Sequence, residues 1–252
     1  MVSLSQLGSI DEVEDQLIVD FRSHPVFARM SEMSRTEFLE ILLQRRFVSL
    51  AFVPFYELAL DALADEPEKK VVRALIREEY DSAGELTHRE RLVRDLLAIG
   101  ASRDQIVRCR ASDQTMGVAA GLVEAVRKAD DHDDDTYQIS ILSTLRLAGE
   151  ILVAVEYEMF WPHLQRFGLS ANELPGKAES KFYYPHMTHD SRRHRIGIVP
   201  DLTCNRNHAD LMTDRLRDRL MLVSARGVEA CIRAARRAQG VKRSFYDQWG
   251  AG

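Results

Sequence analysis

The sequence predicts an all-α protein built as one bundle of long helices, and three observations predict it. Apolar residues recur at helical spacing along most of the 252 residues, and alternating strand-like patterns are nearly absent. Glycine and proline number only 13 and 7, too few for a loop-rich β-sandwich. The 45% apolar and 29% charged composition is that of an ordinary globular domain. That length buries a sizeable core, so residues 1–252 read as a single domain whose core covers about 34–249.

The elements follow in order. Residues 11–24 read as a short helix stopped by Pro25. Ser34 and Glu37 form a capping box that opens a long helix over 35–64, with Pro54 kinking it. A second long helix spans 67–99 and stops at Gly100. Ser102 caps a short helix to 109, and another runs over 113–128. The acidic run 130–135 reads as a solvated loop, because its contiguous carboxylates lack the alternate spacing of a calcium loop. Residues 136–167 form a helix apolar almost all round, closed by Gly168, so a central position is expected. A helix over 181–195 precedes an irregular stretch at 196–200, and 207–239 is the last long helix, ended by Gly240.

Charge and cysteine usage exclude several classes. With 34 basic and 39 acidic residues the net charge is −5, which argues against nucleic acid as a partner. Cys109, Cys204 and Cys231 are odd in number and widely spaced, so neither a disulfide framework nor a thiolate zinc site is indicated. Residues 1–14 lack the basic-then-apolar pattern of a secretory signal. The apolar run 47–55 is too short to span a membrane. A cytoplasmic protein with no membrane partner is expected. A GxSxG elbow, a glycine-rich phosphate loop and HExxH are all missing. Cys204 and His208 are near in sequence, but a nucleophile pair needs spatial proximity.

Functional candidates are polar residues on faces that should be buried, where an ionised group needs a partner or a metal. Glu78, Asp81, Glu85 and His88 fall on one stripe if 67–99 is continuous, and Glu85 with His88 makes an ExxH pair. Glu57 interrupts the apolar stripe of Leu50, Val53, Leu60 and Ala64. Glu156 lies among Leu152, Val153, Met159 and Phe160, with Glu158 as the alternative on that helix. In a helix over 181–195, His186, Asp190 and His194 share a side, and Tyr183 and Tyr184 precede them as walls of a pocket. Imidazole with carboxylate suits iron or manganese better than calcium. The competing readings are a solvated charged face for 78–88, buried glutamates bonded to Tyr or Arg, and a surface segment rich in His and Arg.

This arrangement resembles the haem-oxygenase-like diiron oxidases. A carboxylate lies in the first core helix, acids lead to a His in the second, a Glu stands in a later helix, and an aromatic-led His-x-x-x-Asp follows. The resemblance implies a single seven-helix haem-oxygenase-like bundle without haem. It also implies two Fe(II) ions, with manganese the less suited alternative. The implied ligands are Glu57, His88, Glu156, His186 and Asp190, together with Glu78 or Glu85, and Asp81 as a third choice. The family's last histidine falls here on Arg193, so His194 through a local bulge, or His189, would replace it.

The implied activity is O2-dependent oxidation of a small carboxylate-bearing substrate gripped by Tyr183, Tyr184 and Arg193. Oxidative C–C fragmentation of a lysine-type amino acid to an alkene leads, as in the chlorolysine-cleaving type. Fatty-acid decarboxylation to a terminal alkene and amine N-oxygenation are the alternatives on the same site, and a metal-free binding or regulatory bundle is the alternative of another class. O2, the small substrate and an external electron donor are the expected partners, with monomer and homodimer both open.

Overall fold

Most helices begin on side-chain oxygens. Ser3, Ser34, Thr87, Ser102 and Asn207 each close a capping box with the residue three further on. The computed structural model describes residues 2–80, 86–129, 133–198 and 207–250. It is all-α. The helices are α1 Leu4–Arg22, α2 Pro25–Arg29, α3 Arg35–Leu50, α4 Phe52–Ala62, α5 Glu66–Tyr80, α6 His88–Ala98, α7 Arg103–Arg108, α8 Asp113–Arg127, α9 Asp134–Thr144, α10 Leu152–Arg166, α11 Tyr183–His189, α12 His208–Leu222 and α13 Ala225–Ser244. A π-helical stretch, Leu145–Ile151, joins α9 to α10, and a 3-10 turn, Phe245–Trp249, follows α13. The strands among the described residues are two short parallel ones, β1 Leu169–Ser170 and β2 Ala178–Glu179.

The rod Asp134–Arg166 is the axis of the bundle. It is long and apolar enough to cross a membrane, yet its most apolar window is wholly buried. Helices α12 and α13 pack along α9, and α1 and α11 pack along α10. Its all-round apolarity therefore follows from a central position.

Long helices expected from the sequence are broken, so the described chain has more than seven helical segments. Residues 35–64 divide at Ala51, which lets Pro54 sit in the first turn of α4, where a missing N–H leaves no carbonyl unpaired. Residues 67–99 divide before Thr87, whose hydroxyl and Glu90 cap α6. The expected helix over 181–195 covers only Tyr183–His189, and the last one divides at Val223 and Ser224, with Ser224 capping α13. The stops at Gly100 and Gly168 hold, at φ +101° and +116°.

Candidate metal centre

Three anchors place the functional side chains. Asp95 of α6, fully buried, accepts from Ser180 Oγ at 2.6 Å and from the backbone N–H of Lys181 at 2.9 Å and Phe182 at 3.0 Å, which fixes the entry to α11. Asp210 of α12 accepts from the N–H of Arg193 at 3.2 Å and His194 at 3.1 Å. The segment after α11 is thereby folded back on the start of α12. On the other side, Asp11 of α1 accepts from the N–H of Ile196 at 2.9 Å and Gly197 at 2.8 Å. Glu14 pairs with the buried Arg146 and with Arg192, and Asp15 with Arg192 and Arg195.

These contacts bring one ligand from each of three elements together. Glu150 from the π stretch, Asp190 at the end of α11 and His208 at the start of α12 have ligand atoms within 4.8 Å of one another. His208 Nδ1 lies 3.5 Å from Glu150 Oε2 and 3.4 Å from Asp190 Oδ1, and its Nε2 is 3.1 Å from Glu78. Beside this group, His88 and His186 have ring centroids 5.0 Å apart, and His88 Nδ1 is 3.2 Å from Glu79 Oε1. All seven residues line one cavity of about 1100 Å³, together with Glu57, His189 and Arg193.

The electrostatics of the group are strongly coupled, and its donors could hold a cation. Burial, and then the charge of Glu150, push the Asp190 carboxyl well above the usual range. Burial acts to lower the His208 pKa, but its hydrogen bonds to Asp190, Glu150 and Glu78 outweigh it and raise the value to about 12. Burial, and next His88, hold His186 well below its ordinary value, so its imidazole is neutral. His186 Nδ1 is 2.6 Å from the carbonyl of Phe182. A carbonyl only accepts, so the proton is on Nδ1 and Nε2 presents a bare lone pair, the state a metal requires. His88 Nδ1 is buried and makes no aligned hydrogen bond, with the Glu79 carboxylate 3.2 Å away. An imidazole nitrogen set among converging carboxylates fits iron or manganese.

The structure places the sequence candidates unevenly. Glu57, Glu78, His88, His186, Asp190 and Arg193 line the cavity. Glu85 and its alternative Asp81 lie outside the described residues. His88 is the first residue of α6, so the helical spacing that paired it with Glu85 does not run unbroken.

Glu156 faces away from the cavity. Its Oε2 accepts from Arg45 Nε at 2.6 Å and Lys242 Nζ at 3.1 Å, and its Oε1 from the Tyr246 hydroxyl. Burial would raise its pKa, but Arg45 and Lys242 hold it below the ordinary value, so it is a countercharge. The alternative Glu158 pairs with Arg22 at the surface. His194 lies beyond α11 and turns to Asp210, 3.8 Å away. Tyr183 packs in the core against Tyr157 at 5.1 Å, and Tyr184 packs on Trp161 at 5.1 Å, so neither lines the cavity.

Glu150, Glu79 and His208 line the cavity without being among the sequence candidates for it. One signal was available, a Gly-Glu pair, Gly149-Glu150, inside the most apolar helix of the chain.

Comparison with known proteins adds the fold. A TenA family transcription regulator from Silicibacter sp. TM1040 is similar over 98% of this chain and 97% of its own, with TM-score 0.59 and 13% identity. A CADD-like protein of unknown function from Nostoc punctiforme aligns over 96% and 94%, with TM-score 0.59 and 12% identity. A TenA homologue from P. horikoshii OT3 aligns over 98% of both chains, with TM-score 0.55 and 13% identity. The architecture is therefore the all-helical, haem-oxygenase-like one that these proteins share. No family profile and no curated protein sequence matches the chain.

Proposed function

We propose that the chain is an O2-dependent non-haem oxidase that holds two divalent irons and acts on a small carboxylate-bearing substrate. The observation that carries this reading is the convergence of Glu150, Asp190 and His208, with His88, His186 and Glu79 beside them, on one wall of a cavity. Glu78, Glu79, Glu150 and Asp190 offer four carboxylates to offset two divalent ions, and Glu57 is a further carboxylate lining the same cavity. His186 and His88 would offer imidazole nitrogens to a second ion. Iron held there would supply the redox chemistry, reduction of dioxygen and oxidation of the substrate.

The protein's part is to bind and orient. Phe52, Val53, Leu75, Leu92 and Val153 form apolar walls suited to an aliphatic chain, and Arg89, Lys181 and Arg193 bring cations for a carboxylate. Within that class, oxidative fragmentation of a lysine-type amino acid to an alkene is the leading reaction. Fatty-acid decarboxylation and amine N-oxygenation are distinguished from it by substrate.

The test is anaerobic Fe(II) titration followed by stopped-flow mixing with O2 against amino acids, fatty acids and amines. Two irons per chain and an O2-dependent absorption that one substrate class accelerates are expected. His208→Ala is expected to lose iron and keep its helical circular dichroism. A parent protein that binds no iron would instead be a metal-free binding bundle.

A further inference from the structure

Glu150 is held by its surroundings in an unusual way. The Tyr56 hydroxyl of α4 donates to Glu150 Oε1 at 2.5 Å, and both side chains are buried. Glu150 Oε2 faces the other way, 3.5 Å from His208 Nδ1. The two oxygens are thus divided, one for the phenol and one for the site. The phenol reaches Glu150 only because the preceding residue has no side chain. A Cβ on Gly149 would lie 2.6 Å from Tyr56 Oη, closer than van der Waals contact permits. Gly149 and Glu150 also sit inside the π-helical stretch, whose wider turn displaces residues from the α-helical register.

We infer that Tyr56 is a positioning residue for the metal. Its hydrogen bond to Oε1 fixes the Glu150 carboxylate with Oε2 toward His208, and Gly149 leaves the room that the phenol needs. The inference rests on the reading of Glu150 as a metal ligand. A partner that orients a ligating carboxylate typically changes metal affinity about ten- to a hundredfold when removed.

The test is Co(II) titration of the whole chain under anaerobic conditions, read by the visible ligand-field bands and by competition for affinity. Tyr56→Phe keeps the ring and removes the hydroxyl. It is expected to weaken Co(II) binding about ten- to a hundredfold and to alter the band intensities as Glu150 swings free. Gly149→Ala, which displaces the phenol without touching it chemically, is expected to give the same spectrum as Tyr56→Phe. Thermal melts of both variants control for folding. Parental affinity and spectrum in a folded Tyr56→Phe protein overturn this inference and leave the metal reading standing. A parent that binds no Co(II) or Fe(II) overturns both.

Discussion

Glu156→Gln separates a countercharge from a metal ligand. Arg45, Glu156 and Lys242 are each at most 2% exposed, and Tyr246 is fully buried. The carboxylate is the one anion between two cations, so the amide leaves both uncompensated. Breaking a buried ion pair from one side costs about 3–5 kcal/mol. At about 2.1 cal/mol/K per residue, 252 residues give an unfolding entropy near 0.5 kcal/mol/K. The melting temperature should then fall by roughly 6–10 °C. Lys242 moderates this by shedding its proton, since burial and then Arg45 already lower its pKa to about 8. The assay is thermal unfolding by circular dichroism, paired with anaerobic Fe(II) titration of the folded variant. Iron stoichiometry should match the parent. A variant that melts like the parent and loses an iron would refute the reasoning and return Glu156 to the ligand set.

Three further outcomes are expected. Near pH 7, Lys242→Met should change stability by no more than about 1 kcal/mol, because it leaves a neutral Arg45–Glu156 pair. The folded pKa near 8 lies below the ordinary 10.5, so between those values the unfolded state holds more protons and stability rises with pH. Urea unfolding from pH 7.5 to 10 should show the parent gaining on Lys242→Met, by at most about 1.4 kcal/mol per pH unit. Asp95→Ala should cost about 3 kcal/mol by unpairing the entry to α11, and should weaken metal binding through His186, checked by urea melts and Co(II) titration. Thr87→Ala removes the α6 cap and should cost about 1 kcal/mol, a fall of about 2 °C in a thermal melt.

The fold class was legible because helical periodicity and cap chemistry are local. Ser34 with Glu37 marks a helix start, and Gly100 and Gly168 mark ends, whatever the tertiary structure does. The central rod was legible for the same reason, since only a core helix is apolar on every side. The α11 cluster is only partly held together by local spacing. His186 and Asp190 are four apart within one short helix and its cap, but His194 lies past the point where Asp210 takes over the backbone.

Glu156 is buried, as its apolar stripe requires, but its partners are tertiary. Arg45, Lys242 and Tyr246 take its oxygens, which is the competing reading of a buried glutamate bonded to Tyr or Arg. Glu150, in the π-helical stretch 145–151, is the glutamate of this rod that lines the cavity. His208 was out of reach for a like reason. Its place beside Asp190 depends on Asn207 donating to the carbonyl of Ser191 at 2.5 Å and on Asp210 gathering the loop. Those contacts are tertiary, and no spacing in the sequence encodes them.

The clamp on α1 bears on the order in which the chain can assemble. Asp11, Glu14 and Asp15 share one face of α1, and their partners are the backbone of 196–197 and the side chains of Arg146, Arg192 and Arg195. On a chain emerging from the ribosome, α1 is finished 124 residues before Arg146 exists and 170 before Arg192. During that interval these three acids lack those partners, and the like pair Asp11–Asp15 at i,i+4 weakens an isolated helix by about 0.2–0.5 kcal/mol. Helix α1 therefore becomes secure long after its own synthesis. It locks down the segment carrying Asp190 only when nearly the whole bundle is in place, so the cavity wall that includes Asp190 closes as a late event in folding.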